Sequence, residues 1–338
     1  MKRLDFKALL LLAVAVFVGG VCLWLALRPG VKLQAAPTTI VIATNTEYVG
    51  ACPVLAAQAQ GYFAGQQLAV QLQPYTSGRG ALQAVVANRA DIATVADIPI
   101  MFFAMEAAPV QVVSTIFRTG SDHGLVARRD RGIVRPADLK GKRIGVTLAT
   151  SGHFTLDVFL NRQRLDSRDV ELRNYPPDAL AQALADGLVD AISGWDPFLA
   201  AAEESLGANA VRFTGADVYE SIYNMVALSG YIQQHPQTMV RLLRALDQGE
   251  RFCIRNPAAA VAFFPKLSPK GRAAMLAAWP AHHFGLALDQ SLLLVLEDQA
   301  RWAVKGELSK SREVPNFLDH VYLDGLKAVL PGEVTIIY

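Results

Sequence analysis

The sequence predicts an α/β protein of two lobes with mainly parallel sheets. Three observations predict it. Apolar, β-branched runs of four to eight residues alternate with helix patterns, the mark of βαβ units. The alternation falls into two blocks, near 38–120 and 125–225. The 338 residues are enough for two domains at about 150 residues each.

In the first block, Thr39–Ala43 (TIVIA) reads as a buried strand, and Ala51–Gln60 as an apolar helix stopped by Gly61. Leu68–Leu72 alternates as a strand, a helix over 79–88 starts after Ser77-Gly78, and Asp91–Val95 and Val110–Phe117 are strands. In the second block, Gly124–Ala127, Arg143–Thr147, Val170–Tyr175 and Val189–Ser193 are strands. Helices over Gly152–Arg164, Pro177–Ala185 and after Asp196-Pro197 separate them. Val226–Leu228 is a last short strand. Beyond Tyr231 the pattern is helical, with segments at Pro236–Arg255, Pro257–Phe264, Lys270–Ala278, Asp289–Val304 and Pro315–Val329. This tail is expected to cover the first lobe.

Hydrophobic residues make up 52% and charged residues 18%, which excludes intrinsic disorder. The net charge of +2, without a block of five like charges, argues against nucleic acid as a partner. Twenty uncharged residues, Ala8–Leu27, follow Lys2, Arg3 and Lys7. A helix of that length spans a bilayer, and the basic flank keeps the N-terminus in the cytoplasm. A cleaved export signal and an uncleaved membrane anchor both fit, with Leu33-Gln34-Ala35-Ala36 as a fair cleavage site. Residues 1–36 hold five bases and one acid, so the exported remainder carries 27 bases against 29 acids. Its two cysteines, Cys52 and Cys253, are read as buried free thiols, with one disulfide as the alternative.

Enzyme motifs are missing: there is no Gly-x-Ser-x-Gly elbow, Walker loop or Gly-x-Gly-x-x-Gly after the first strand. None of the six histidines has zinc-ligand spacing to another His or Cys, so no metal, cofactor or catalytic residue is expected. Two strand-to-helix loops stand out instead. Ser77-Gly78 and Thr150-Ser151-Gly152-His153 each place hydroxyls and glycine at a helix start. The first N–H groups of a helix lack internal acceptors and its dipole is positive there, so such ends hold small anions. Plain N-capping is the competing reading. Asn45-Thr46-Glu47-Tyr48, Asp97 and Trp195-Asp196 lie at other strand ends, where ligands of open α/β sheets gather. Trp195 is either core or a flat face for an alkyl or cationic group, and Asp196 either a ligand or a cap. Arg79 reads as a solvated surface charge, with an anion ligand as the alternative.

An ordered series of segments then points to a family. It comprises Pro53-Val54-Leu55-Ala56-Ala57-Gln58-Ala59-Gln60-Gly61-Tyr62-Phe63, Asn88-Arg89-Ala90-Asp91-Ile92-Ala93, Asp138-Leu139-Lys140-Gly141-Lys142, Ala185-Asp186-Gly187-Leu188-Val189-Asp190-Ala191 and Trp195-Asp196-Pro197-Phe198. From Thr39 to about Asn256, and more loosely to Tyr338, the chain resembles periplasmic substrate-binding proteins of ABC importers, in the nitrate, sulfonate, taurine and bicarbonate group. The resemblance implies a type II periplasmic-binding-protein fold whose lobes close on a ligand by a hinge. It implies lobe 1 from 37–124 and 226–338, lobe 2 from 125–225, and 1–36 as signal or anchor with tether. Crossover strands are expected near Gly124–Ala127 and Val226–Leu228. It further implies a monomer outside the cytoplasm that delivers a small, anionic solute to an inner-membrane permease, with membrane contact through 8–27 if uncleaved. The resemblance implies that the loop Thr150–His153 helps hold the anionic group and that the Trp195-Asp196 position lies in the same cleft. His153 stands where relatives often carry a small residue. A sensory ligand-binding domain is the alternative. A thiamine-pyrimidine-synthase-like enzyme is a weaker one, because Cys22, Cys52 and Cys253 do not form that enzyme's cysteine-rich motif.

Overall fold

The computed structural model describes residues 36–215 and 218–337. The apolar run 8–27, its basic flank and most of the tether lie outside the described residues. Among the described residues no helix is long and apolar enough to cross a membrane.

Eleven strands form two sheets among the described residues. The first holds β1 (Thr38–Thr44), β2 (Leu68–Pro74), β3 (Ile92–Ala96), β4 (Val110–Thr119), β10 (Ser221–Leu228) and β11 (His283–Ala287), in the order β11-β4-β10-β3-β1-β2. The second holds β5 (His123–Arg128), β6 (Arg143–Val146), β7 (Glu171–Asn174), β8 (Ala191–Trp195) and β9 (Ala210–Thr214), in the order β7-β6-β8-β5-β9. Helices of eight or more residues are α1 (Cys52–Ala59), α2 (Gly78–Val86), α3 (Asp97–Met105), α4 (Ser151–Arg162), α5 (Pro177–Ala185), α6 (Phe198–Leu206), α7 (Pro236–Arg255), α8 (Pro269–Ala278) and α9 (Gln290–Lys305).

The sheets are mixed rather than mainly parallel. Strands joined by helices pair in parallel: β1 with β2 and β3, and β6 with β7 and β8. The strands next to the passages between sheets pair antiparallel, β10 with β3 and β4, and β5 with β8 and β9. A strand arriving from the other sheet enters from the opposite end, so it runs against its neighbours. The chain passes between the sheets at 120–122 and again between β9 and β10, both somewhat earlier than the expected crossovers.

Two strands went unread in the sequence. β9 is short and half-buried, and β11 carries a glycine in five residues, so neither shows a clear period. The expected helix over Pro315–Val329 breaks into a 3-10 turn at Phe317–His320 and a short helix at Leu323–Lys327. Val321 between them makes a bridge to Val112 on β4, so tertiary pairing overrides helix propensity there.

The tail covers the first sheet as expected. α7 packs its apolar stripe, including Leu242, Leu243 and Leu246, into the first core. It lies so close to α1 that a Cβ on Gly249 would stand 2.1 Å from the Pro53 carbonyl oxygen, and only glycine fits. Cys52 of α1 and Cys253 of α7 are joined by a disulfide with a sequence separation of 201, which corrects the reading of free thiols. A cross-link over so long a loop removes roughly 5 kcal/mol of chain entropy from the unfolded state in the loop-closure account.

Candidate functional site

A small cavity lies between the C-terminal ends of strands from both sheets. Its lining from the first sheet's side includes Asn45, Tyr48, Ser77, Gly78 and Arg79. From the second come His123, Thr150, Ser151 and Trp195. Its volume is about 30 Å³.

The first-sheet half is fixed by backbone ties. Asn45 donates from Nδ2 to the Thr76 carbonyl at 3.1 Å and accepts from the Glu47 N–H at 3.0 Å, which pins the β1 and β2 loops together. Ser77 caps α2 by accepting from the Gly80 N–H at 3.1 Å. Gly78 is required, because a Cβ there would meet the Val95 Cα at 2.8 Å. Tyr48 is buried edge-on against Phe117 and Tyr223, and burial pushes its phenol well up. Arg79 lies over the Phe103 ring, 5.6 Å from its centroid. Its Nη1 is buried and has no hydrogen-bond partner in the protein. A buried guanidinium N–H without an acceptor is costly, and an anion bound beside it would relieve that cost.

The second-sheet half is built on α4. Thr150 is its N-cap position, but the Thr150 hydroxyl donates to the Thr147 carbonyl at 2.6 Å instead of capping. Ser151 is 2.8 Å from Nε2 of His123, whose Nδ1 is 2.6 Å from Oδ1 of Asp122. All three side chains are buried. Burial works to raise the Asp122 carboxyl, but the His123 charge and hydrogen bond outweigh it and hold the group below its ordinary range. Trp195 lines the cavity at the end of β8.

The remaining expected site residues are placed elsewhere. Asp97 is fully buried at the start of α3, where it accepts from the Tyr219 hydroxyl and the Gln299 amide. Burial raises its carboxyl to about 6. Gly152 packs against β8, where a Cβ would meet the Gly194 Cα at 3.0 Å. His153 faces Trp302 of α9, ring centroids 5.5 Å apart, not the cavity. One turn on, Asp157 Oδ2 accepts from Trp302 Nε1 at 2.9 Å, so this face of α4 meets a helix that covers the other sheet. Asp196 is paired with Arg212 at 2.7 Å. Thr46 and Glu47 line a second, mostly apolar cavity of about 460 Å³ with Phe198 and Phe264, and Glu47 is paired with Lys266 at 2.6 Å. The Trp195 and Phe198 rings, 5.9 Å apart, stand one on each cavity. Ala96, Pro99, His123, Ser221 and Tyr223 are the cavity residues that sequence reasoning did not single out. Among the described residues no cluster of three or more His, Cys, Asp or Glu could hold a metal.

Two mixed α/β sheets, two passages between them and a cleft at the strand ends define a periplasmic-binding-protein fold. The alkanesulfonate-binding protein SsuA from Xanthomonas axonopodis pv. citri, solved bound to MOPS, superposes with a TM-score of 0.75 over 86% of this chain and 99% of that one, at 20% identity. The chain belongs to the NMT1/THI5-like family, whose profile matches residues 49–260. It is similar to the taurine-binding periplasmic protein of Escherichia coli K12, 25% identical over 231 residues, 67% of this chain and 69% of that protein. It is also similar to a putative aliphatic sulfonates-binding protein of Bacillus subtilis 168, 27% identical over 203 residues, 58% of this chain and 60% of that one.

Proposed function

We propose that this protein is the extracytoplasmic solute-binding component of an ABC importer and that it captures a small organic sulfonate in the cleft. The observation that carries the reading is Arg79: a buried guanidinium nitrogen without a partner, on a side chain that lines the same cavity as Ser77, Thr150 and Ser151. A sulfonate offers three acceptor oxygens and a full negative charge, which meets that donor and the free N–H groups at the start of α4. The ligand sits between the lobes, and closure excludes water from it. The relatives named for taurine and aliphatic sulfonates support the same class. Export, by either a cleaved signal or an anchor at 8–27, agrees with the Cys52–Cys253 disulfide, since such bonds persist outside the reducing cytoplasm. The protein releases its cargo to a permease and performs no chemistry in that role.

Calorimetric titration with taurine, ethanesulfonate and dimethyl sulfone tests this. The two sulfonates are expected to bind and the neutral sulfone to fail. Equal binding of the sulfone, or no heat from either sulfonate, overturns the reading of the cleft as a sulfonate site.

A further inference from the structure

We propose that Ser151, His123 and Asp122 form an acyl-transfer centre in the cleft, acting on small carboxylic esters that carry an anionic group. The inference goes beyond solute capture and stands on geometry of its own. The three side chains make the nucleophile, base and orienting carboxylate of a serine hydrolase in order: Ser151 Oγ to His123 Nε2 at 2.8 Å, and His123 Nδ1 to Asp122 Oδ1 at 2.6 Å. The Asp122 carboxylate accepts from Nδ1–H, which leaves Nε2 as the acceptor for the Ser151 hydroxyl proton. Ser151 is free for this role because it does not cap α4, and its hydroxyl lines the cavity.

The other parts of such a centre are also in place. Ser151 is the first residue of α4, directly after a strand and a short turn. The N–H groups of Ser151 and Gly152, in the first turn of α4, have no acceptor within the helix and are the proposed oxyanion donors. The Arg79 side chain lines the same cavity, and its positive charge selects a substrate with a negative one. Ser151 Oγ bonds to the ester carbonyl carbon while its proton passes to His123. The carbon–alkoxide bond then breaks and the alkoxide leaves with that proton as an alcohol. Water attacks the acyl-Ser151 ester, gives its proton to His123, and the carboxylate product departs as Ser151 recovers its hydrogen. His123 and Ser151 touch the reacting atoms. Asp122 is a positioning residue.

The test uses the full chain with a fluorophosphonate probe, read by intact mass and peptide mapping. One adduct on Ser151 is expected, with Ser77 unmodified because no imidazole stands at its hydroxyl. His123→Gln is expected to slow labelling at least about a hundredfold. Asp122→Asn is expected to lower the maximal labelling rate while leaving the half-saturating probe concentration unchanged. Turnover of mono-4-nitrophenyl succinate should exceed that of 4-nitrophenyl acetate in the unmodified protein. Should either variant fail to fold, the wild-type pattern alone decides: no adduct, or equal labelling of Ser77 and Ser151, overturns the proposal. A protein that binds ethanesulfonate and takes no adduct would sink the acyl-transfer centre and leave the importer reading standing.

Discussion

The helix starts at Ser77 and Ser151 are built from one sequence pattern and do different things. Both follow a strand, both join a hydroxyl to a glycine, and both glycines press against a neighbouring strand, Gly78 too closely for a Cβ and Gly152 with little room for one. Yet Ser77 directs its oxygen at its own helix and accepts from the Gly80 N–H, while Ser151 turns away from its helix toward His123. Whether such a serine caps or serves a site is decided by what stands opposite. Opposite Ser151 is an imidazole held by Asp122. On the Ser77 side the free polar group is two residues further along, on Arg79. The cleft is therefore asymmetric, with a guanidinium on the first sheet's side and, on the second's, a serine hydroxyl bonded to His123.

That asymmetry can be broken hardest at Arg79. Truncating one partner of a buried, charge-assisted contact typically costs about 2–5 kcal/mol of binding. Arg79→Ala should therefore weaken ethanesulfonate at least about thirtyfold by calorimetry. Its folding stability should change little, because Nη1 has no hydrogen bond to lose and the Phe103 contact is worth about 0.5–1 kcal/mol. Undiminished affinity would move the anion to the α4 side and make the first-sheet half mere scaffold.

A third helix start extends the comparison. Asp97 also sits at a strand end, but it faces neither the cavity nor its own cap. Its folded carboxyl is raised from 3.8 to about 6, chiefly by burial. A raised carboxyl favours the protonated folded state. Its stabilising effect is full below about pH 4 and lost as pH rises through about 6. The loss is at most roughly 3 kcal/mol for a shift of that size. Urea unfolding of Asp97→Asn and wild type at pH 4.5 and 7.5 checks the sign. The variant should gain on the wild type at the higher pH, and a constant difference at both would show that Asp97 is ionised at no cost.

The pattern of what could be read follows from range. Strands and helices of the two βαβ blocks rest on local period, and both serine loops rest on local composition, so they were legible. The setting of Arg79 was not. It reads as a surface charge or an anion ligand, and neither reading brings in Phe103, on the next helix, beneath it. His123 carries no motif, because its meaning comes from Ser151, 28 residues on. Asp97, His153 and Asp196 were recognisable as strand-end polar residues. Their partners Tyr219, Gln299, Trp302 and Arg212 arrive from elements that only the fold brings near. The sheets' antiparallel strands were hidden for the same reason, since direction depends on which sheet a strand has left.

The smallest effect is the most discriminating between the two serines. Ser77→Ala removes the α2 cap and should cost about 1 kcal/mol of stability in urea unfolding. Ser77→Asp should restore that stability, because a carboxylate caps as well as a hydroxyl and suits the positive helix end. The same carboxylate would stand two residues from Arg79 on the cavity wall, where it competes with a sulfonate for the free guanidinium. Ser77→Asp should therefore fold like wild type and bind ethanesulfonate more weakly than Ser77→Ala does. If it binds equally well, Ser77 is a cap alone and the anion reaches the first sheet's side only through Arg79.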